Sequence, residues 1–285
     1  AGDWGFKFGT ATEQSLGSAG ISISNLYGKA LVAVDTYMQN PLQGPSVIWP
    51  SSIVIDNVAV VGYGDTNPQS KGLRIDFTTN VIASNIVTSN AYHGVFAGSG
   101  SDLKITNCTF KNSRRQGILK FGAGASSNVN IENNNFVDNN LDGAAATADI
   151  TLVSMSNVKV KNNVFNSPSA IWSLQASNTV TNLRVVDNHV VNVNPSFGPC
   201  FSFGSQADTN ICIEFEGNTF AVSPAGGIRG GQFMVPMVLS ARYNQNTLQR
   251  VAYYSTVPDR GTWSVGDRVF NDSPVTGKPK SWVCT

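Results

Sequence analysis

The chain contains few charged residues, few histidines and few cysteines, and each shortage argues against a class of function. Charged residues make up 13% of the 285 residues and the formal net charge is +1, whereas nucleic-acid-binding domains carry a strongly basic surface. The two histidines and four cysteines show no metal-ligand spacing, and so few cysteines in a chain of this length favour free thiols over a disulfide framework. No apolar run approaches the length of a membrane span. We therefore expect no cofactor, no nucleic-acid partner and no membrane insertion.

Helical periodicity is also absent, and a short strand-like pattern takes its place. Nine copies read apolar, variable, apolar, variable and then usually Asn, with a further apolar residue three positions after the Asn. The copies begin at Ile21, Ile53, Val81, Leu103, Val129, Val158, Leu183, Ile213 and Ala241. The Asn position recurs every 22 to 32 residues, and self-similarity at such a period indicates a repeat architecture.

The spacing inside each copy predicts stacked strands. Apolar residues alternate with a period of two, as in a strand with one buried face, and Gly, Asn and Ser separate the copies as turn residues do. The position three after the Asn is aromatic in several copies, among them Phe110, Phe136 and Phe165. We expect these rings to stack in a narrow core and the Asn side chains to form a ladder from turn to turn. The sequence thus predicts an all-β fold, a parallel β-helix of about nine coils.

We expect two structural units. The repeat predicts a β-helix over residues 1–252, and the segment 253–285, where the repeat has stopped, is typical of a short β module. The first residues carry no initiator Met and no signal-peptide core, and the last ones form a strand-like stretch. The chain is therefore expected to be a piece of a longer protein in which the module continues.

The least generic residues lie at the turns before a second set of strands. Small residues mark the start of these strands, for example Gly94, Gly117 and Ala148. The turns and the strands after them carry the candidates for contact with a substrate, which are Asp35, Tyr92, His93, Arg114, Arg115, Gln116, Lys120, Asp142 and Trp172. Stacking would place their aromatic, imidazole, guanidinium, amide and carboxylate groups side by side on adjacent coils. Trp172 fits a core position and a platform for a sugar ring equally well.

Three segments resemble known proteins. Residues 112–118, which read Asn-Ser-Arg-Arg-Gln-Gly-Ile, and the coil at 128–136 are similar to right-handed β-helix proteins of the pectate-lyase-like superfamily, in which an Arg-Gln-Gly-Ile turn precedes an Asn-Val-x-Ile-x-Asn-x-x-Phe coil. The next coil of that family often carries Gly-Ile-Asp-Ile-Glu-Pro; Asp149 matches its aspartate, whereas Thr151 stands at its glutamate position. Residues 261–269 look like modules near the ends of bacteriophage tail proteins.

Together these resemblances imply a right-handed β-helix in a phage tailspike. Such a protein would sit in the phage tail of the virion and act at the host cell surface, where it binds or cleaves capsule or O-antigen polysaccharide. The resemblance further implies a homotrimer that contacts other phage tail proteins.

Hydrolysis of a glycan is the reaction that we favour, and it requires two carboxyl groups. Asp76 and Asp149 are expected to point outward from the second strand set, three rungs and roughly 14 Å apart, too far for a direct pair. Asp35 offers Asp76 a partner one rung away, Asp142 offers one to Asp149, and a neighbouring subunit could complete the pair instead. The sequence leaves all three arrangements open.

Elimination is the alternative reaction for a uronic acid substrate, which needs its carboxylate neutralised and a base to remove the α-proton. His93, Tyr92, Arg115 and Lys120 are suitable residue types for these roles. A non-catalytic adhesin that uses the same face for binding is the third interpretation.

Overall fold

The computed structural model of the chain describes residues 4–7, 19–30, 32–35, 51–64, 67–76, 78–122, 126–143, 147–192, 201–202, 212–220, 251–254, 268–271, 275–283 and 285. Its main body is a solenoid of parallel strands. These strands are β1 Trp4–Lys7, β2 Ala19–Lys29, β3 Val32–Asp35, β4 Ser51–Val61, β5 Lys71–Ile75, β6 Thr78–Ser89, β7 His93–Ala97, β8 Gly100–Thr106, β9 Thr109–Lys111, β10 Ile118–Phe121, β11 Ser127–Glu132, β12 Asn135–Val137, β13 Ala148–Lys161, β14 Val164–Asn166, β15 Trp172–Val186, β16 His189–Asn192, β17 Phe201–Ser202, β18 Cys212–Glu216 and β19 Thr219–Phe220. The predicted all-β parallel β-helix is confirmed.

Three sheets run along the solenoid and join at its corners into one hydrogen-bonded set of 19 strands. The first sheet stacks the sequence repeats, so that Val81, Leu103 and Val129 are neighbours on successive strands. The second sheet stacks β3, β5, β7, β10 and the initial parts of β13 and β15. The third sheet stacks the final parts of β2, β4 and β6 on β9, β12, β14, β16 and β19. The second sheet carries the strand residues predicted for the site.

The predicted count of about nine coils is too high. Five turns, from His93 to Phe220, have a separate strand in the third sheet. Earlier turns consist of fewer and longer strands, because β2, β4 and β6 pass their corner without a break. The ninth repeat, at 241–245, lies outside the described residues. Among the described residues, the turns with a separate strand in all three sheets are therefore fewer than the repeats in the sequence.

The core follows the alternation of the repeats. In β4, Ile53 and Ile55 are fully buried, while Val54 between them is exposed. Inside the corner, the ring of Phe136 lies 5.3 Å from that of Phe110 and 5.0 Å from that of Phe165, centroid to centroid. The predicted aromatic stack is confirmed, and such pairs contribute about 0.5–1.5 kcal/mol each beyond the area they bury.

The Asn at the end of each repeat turns the chain through the left-handed backbone region. Its φ is 53° at Asn57 and 57° at Asn133 and Asn162, a region that Asn enters more readily than other side-chain-bearing residues. Asn57 Nδ2 donates to Asn25 Oδ1 at 2.6 Å, and Asn162 Nδ2 donates to Asn133 Oδ1 at 2.9 Å. The predicted exposed ladder is confirmed at these rungs.

A second ladder lies one residue further on, inside the corner, and the sequence reasoning missed it. Each of its members donates to a backbone carbonyl below. Asn134 accepts one hydrogen bond, from the backbone N–H of Cys108 on the previous rung, and each later member accepts two from the asparagine on the previous rung. The members are Asn134, Asn163, Asn188 and Asn218. The paired Asn-Asn at 133–134 and 162–163 was the available signal.

The C-terminal part contains a separate three-stranded sheet. Its strands are β20 Val251–Tyr254, β21 Arg268–Asn271 and β22 Ser281–Val283, of which the first two pair parallel and the last two antiparallel. Most of the segment 261–269 lies outside the described residues. The division into residues 1–252 and 253–285 stays a prediction.

Within the described ranges, no helix is long and apolar enough to cross a membrane.

Candidate functional site

The second sheet turns one row of side chains away from the core on every rung. Leu73, Val95 and Ile118 are register partners that point into the core, so the residue that follows each of them lies on the opposite side of the sheet. A second outward row begins each strand. We call these outward side chains the outer face, which consists of Asp35, Lys71, Arg74, His93, Phe96, Gln116, Leu119, Thr151, Trp172 and Gln175. Its rungs are about 4.8 Å apart.

His93 occupies the middle of the outer face and is only 8% exposed. Its imidazole lies edge-on to the ring of Tyr92, with centroids 4.8 Å apart, and 6.0 Å from the ring of Phe96. Burial, followed by the charges of Lys71 and Arg115, lowers the pKa of His93 to about 3. The buried Nδ1 makes no hydrogen bond. His93 is therefore a neutral imidazole at physiological pH, and its Nδ1 is shielded from solvent.

Two cations of the β5 strand lie on the outer face, Lys71 beside His93 and Arg74 beside Asp35, and the sequence reasoning missed both. Lys71 is the register partner of His93; Lys71 Nζ donates to Pro68 O and lies 5.3 Å from the centre of the Phe96 ring. Burial and the charge of Arg74 lower the pKa of Lys71 to about 8, against the opposing effect of Asp35. The signal was present in the sequence, because two cations three positions apart interrupt an otherwise apolar strand.

Asp35 lies on the outer face as predicted, but it is fully buried. Its Oδ1 is 3.9 Å from Nε of Arg74, its register partner on the next rung. A carboxylate held in this way beside a guanidinium balances its charge, which makes it a poor candidate for proton transfer to a substrate.

The arginine turn at one edge of the outer face stacks on its neighbours through the backbone. Arg114 N donates to Ala91 O and Arg115 N to Tyr92 O, both at 2.9 Å. The guanidinium of Arg115 consequently lies over the Tyr92 ring, 5.7 Å from its centre. Such a stacked pair presents a cation and an aromatic edge together, a combination suited to an anionic sugar.

Arg114 is fixed by protein groups rather than left available. Its Nε and Nη2 donate to Gly64 O at 3.2 and 3.0 Å, and its Nη1 donates to Asp142 Oδ1 at 3.1 Å. Asp142 Oδ2 lies 3.9 Å from Nε of Arg115. The structure thus joins Tyr92, Arg114, Arg115 and Asp142 on successive turns, and their roles toward a substrate stay predictions.

Gln116 and Trp172 extend the outer face along the solenoid. Gln116 Nε2 reaches Thr151 Oγ1 at 3.4 Å. Trp172 is half-buried, pairs with the small Ala148 on the previous rung, and has a buried Nε1 without a hydrogen bond. Trp172 is therefore at the outer face rather than inside the core, which favours the sugar-platform interpretation.

The expectation that Asp149 points outward is wrong. Asp149 is 0% exposed, and its Oδ1 accepts hydrogen bonds from Asn139 Nδ2 at 2.8 Å and from Ser167 Oγ at 2.7 Å. It shares a register position with Gly117, where an added Cβ would lie 2.6 Å from Phe136 Cδ1, so this position faces the interior. Burial raises the pKa of Asp149 to about 7. The carboxyl cannot reach a sugar on the outer face in this arrangement.

Asp76 and Lys120 also point inward, at the opposite corner of the second sheet. Asp76 is 6% exposed and lies against Gly98, where an added Cβ would be 1.8 Å from Asp76 Oδ1. Lys120 is 2% exposed and donates to Gly98 O, to Gly100 O at 3.3 Å and to Ser126 Oγ at 3.4 Å. Burial lowers the pKa of Lys120 to about 8, while Asp76 opposes the shift. The outward orientation predicted for Asp76 is wrong, and Lys120 holds a corner together from inside.

A carboxylate pair for hydrolysis is not brought together by the described residues of this face. Of Asp35, Asp76, Asp142 and Asp149, only Asp142 is exposed. In the same described ranges, no group of three or more His, Cys, Asp or Glu residues could hold a metal ion.

Comparison with known proteins agrees with the architecture. A family model for the "Right handed beta helix region" matches residues 47–228. Among solved structures, the chain is similar to the full-length tailspike protein 2 of Escherichia coli O157:H7 bacteriophage CAB120, with 12% identity and a TM-score of 0.42 over 87% of this chain and 34% of that one. The chain spans about a third of that tailspike's length, and so distant a likeness carries no conclusion about activity. No curated protein sequence matches.

Proposed function

Since this chain belongs to the right-handed β-helix family, we propose that it is the solenoid of a bacteriophage tailspike that binds and cleaves an acidic polysaccharide of the bacterial surface. The tailspike assignment is supported by two resemblances together: the Arg115–Ile118 turn matches the Arg-Gln-Gly-Ile of pectate-lyase-like β-helices, and segment 261–269 looks like modules of bacteriophage tail proteins. The observation that carries the chemistry is the buried, neutral His93 between Lys71 and Arg115.

The outer face suits an extended sugar chain. Stacked rungs about 4.8 Å apart present Tyr92, Phe96 and Trp172 as apolar surfaces for sugar rings. Lys71 and Arg115 supply positive charge on the same face. Stacking surfaces combined with cations favour a polymer whose sugars carry carboxylates over a neutral one.

Elimination is the reaction that the described side chains support best. Lys71 and Arg115 would neutralise the carboxylate of a uronic acid and so acidify the proton on the adjacent carbon. An imidazole nitrogen of His93 would accept that proton, and the electron pair would form a carbon–carbon double bond. The glycosidic oxygen would leave and take up a proton from water, and the imidazolium would return its proton to water. Binding of the anion would raise the pKa of His93 from its low value, because a nearby negative charge favours imidazolium.

Hydrolysis is the second candidate, and Asp142 is the observation that favours it. Its side chain is 20% exposed and lies beside Arg114 and Arg115. A second carboxyl group would have to come from the remaining segments or from a neighbouring subunit.

The homotrimer is itself part of the proposal, and light scattering should then give three times the 30.3 kDa of this chain.

The test is incubation with a panel of capsular and O-antigen polysaccharides, followed by chain length, reducing ends and near-UV absorbance. New reducing ends with absorbance from a new double bond would support elimination. Reducing ends without absorbance would overturn elimination in favour of hydrolysis, and a polymer that binds but stays intact would identify an adhesin.

A matched pair of variants assigns the base, because the chain has only two histidines. His93→Ala should lower the cleavage rate by about 10²–10⁴-fold, the usual contribution of a general base. His189→Ala, at an exposed position of the third sheet, should leave the rate unchanged. Equal rates for the two variants would remove His93 from the mechanism.

A further inference from the structure

The buried carboxyl of Asp149 belongs to a closed triangle of hydrogen bonds. Asn139 Nδ2 and Ser167 Oγ both donate to Asp149 Oδ1, at 2.8 and 2.7 Å. Ser167 Oγ in turn accepts from the backbone N–H of Asn139 at 3.2 Å. All three residues are fully buried. The triangle therefore fixes both the side chain and the backbone of Asn139.

Asn139 passes this constraint to the arginine turn. The N–H of Ser113 donates to Asn139 Oδ1 at 3.1 Å, and Ser113 immediately precedes Arg114. The next two contacts are between backbones, from Asn140 N to Arg115 O at 3.0 Å and from Asp142 N to Arg114 O at 3.2 Å. One buried carboxyl thus lies two hydrogen bonds away from the turn that carries the guanidinium groups.

We infer that Asp149 is a positioning residue, which sets the place of the Arg114–Gln116 turn through Asn139 and couples that place to its own protonation. The inference rests on the proposed function only for the importance of this turn. Removal of the proton would leave Asp149 as a buried carboxylate. Its Oδ1 would accept hydrogen bonds from two donors, whereas its buried Oδ2 has no hydrogen bond. A charged carboxylate attracts donors more strongly than a neutral acid does, so Asn139 and Ser113 should shift toward it.

The electrostatic surroundings place this change near neutral pH. Burial raises the pKa of Asp149 to about 7, Ser167 and Asn139 oppose the shift, and Asp138 adds to it. The charged groups on the elements packed around Asp149 are Asp138 and Asp142 on the turn above, Arg114 and Arg115 on the arginine turn, and Lys120 on β10.

Nuclear magnetic resonance of the whole chain tests the inference without any substrate, so it can fail independently of the proposed function. The backbone amide signals of Ser113, Arg114 and Arg115 should titrate with a midpoint near pH 7. In Asp149→Asn the amide oxygen can keep both hydrogen bonds but the group no longer titrates, so the shift should be lost. A titration that persists unchanged in Asp149→Asn would come from another group and would overturn the inference.

Ser167→Ala gives a second, directional check. The Ser167 hydroxyl lowers the pKa of Asp149, so its removal should move the titration of the three amides to higher pH. A midpoint that stays in place or moves to lower pH would also overturn the inference. A residue with a merely structural role would change stability without moving this midpoint.

Discussion

The side-chain oxygen of Asn163 accepts two hydrogen bonds from Asn134, one from its backbone N–H at 2.9 Å and one from its Nδ2 at 3.0 Å. Both residues are buried, and the same arrangement recurs between Asn163 and Asn188 on the next rung. A buried polar ladder therefore stabilises the corner of the solenoid from inside. Its donors are removed from solvent, so water cannot replace a lost acceptor.

Asn163→Ala should lower the free energy of unfolding by about 2–4 kcal/mol, because two buried donors lose their acceptor and each unpaired group costs about 1–3 kcal/mol. Urea denaturation measures the loss. Asn162→Gly is the matched control, since Asn162 belongs to the exposed ladder and Gly tolerates its φ of 57°. Equal losses for the two variants would contradict the importance of the buried ladder.

Gly117→Ala should destabilise the aromatic stack. The added Cβ would lie 2.6 Å from Phe136 Cδ1 and 3.2 Å from Phe110 Cβ, and overpacking of this kind costs about 1–3 kcal/mol. Gly28→Ala is the comparison, because nothing lies within 4 Å of a Cβ at Gly28. The melting midpoint should fall for the first variant only; an unchanged midpoint for Gly117→Ala would show that the rings can move aside.

Asp149→Asn should remove a pH dependence of stability. The folded state holds the Asp149 proton more tightly than the unfolded chain does, because burial raises its pKa to about 7. The stabilisation is complete below the ordinary pKa of about 4 and is lost as the pH rises to about 7, by up to roughly 4 kcal/mol. Unfolding free energies of the wild type and the variant across this range should differ in slope.

The control for that experiment is Ser167→Ala, which keeps the Asp149 carboxyl and should therefore keep a pH-dependent slope. Parallel curves for the wild type and Asp149→Asn would mean that the carboxyl titrates in the fold as it does in the unfolded chain. An outward catalytic Asp149, as expected from the sequence, would instead show no stability change at all.

Lys71 should make the binding of an acidic glycan depend on pH. Burial lowers its pKa to about 8, so its positive charge is present below that pH and is lost above it. The dissociation constant for an oligomer of the responsive polysaccharide should therefore rise between about pH 7 and about pH 9, whereas Lys71→Arg keeps its charge throughout. Calorimetry at several pH values measures this, and identical profiles would exclude Lys71 as the titrating group.

Most of the fold could be predicted from the repeats, because the alternation of a strand and the residues of a turn can be recognised in consecutive positions of the sequence. The alternation of Ile53, Val54 and Ile55 predicts a strand and identifies its buried face, and Asn57 indicates the turn after it. The stacking of Tyr92 and Arg115 on adjacent turns followed from the same register. The number of complete turns could not be predicted from the repeats, because long strands such as β4 pass through a corner and belong to two sheets.

The site was less accessible to sequence reasoning because a strict alternation fails at the corners of a solenoid. Asp149 and Ile150 are consecutive, yet both are fully buried, since the chain bends where the small-residue position meets the aromatic stack. Lys120 is predicted from the sequence to contact a substrate, but its long side chain reaches the carbonyls of Gly98 and Gly100 from inside the solenoid. Lys71 and Arg74 were overlooked because nothing in their own segment indicates that His93 and Asp35 lie beside them.

By itself, the sequence determined that this chain winds into a parallel β-helix with stacked aromatic rings inside and an asparagine ladder along its turns, since period, turn residues and ring positions act within or between neighbouring repeats. Only the tertiary structure decided which charged groups meet and which are removed from water. Burial and pairing depend on side chains that are about 10 to 40 positions apart in the sequence, such as Asn139 with Asp149 and Asp35 with Arg74. The pKa values of His93, Lys71 and Asp149 follow from that burial.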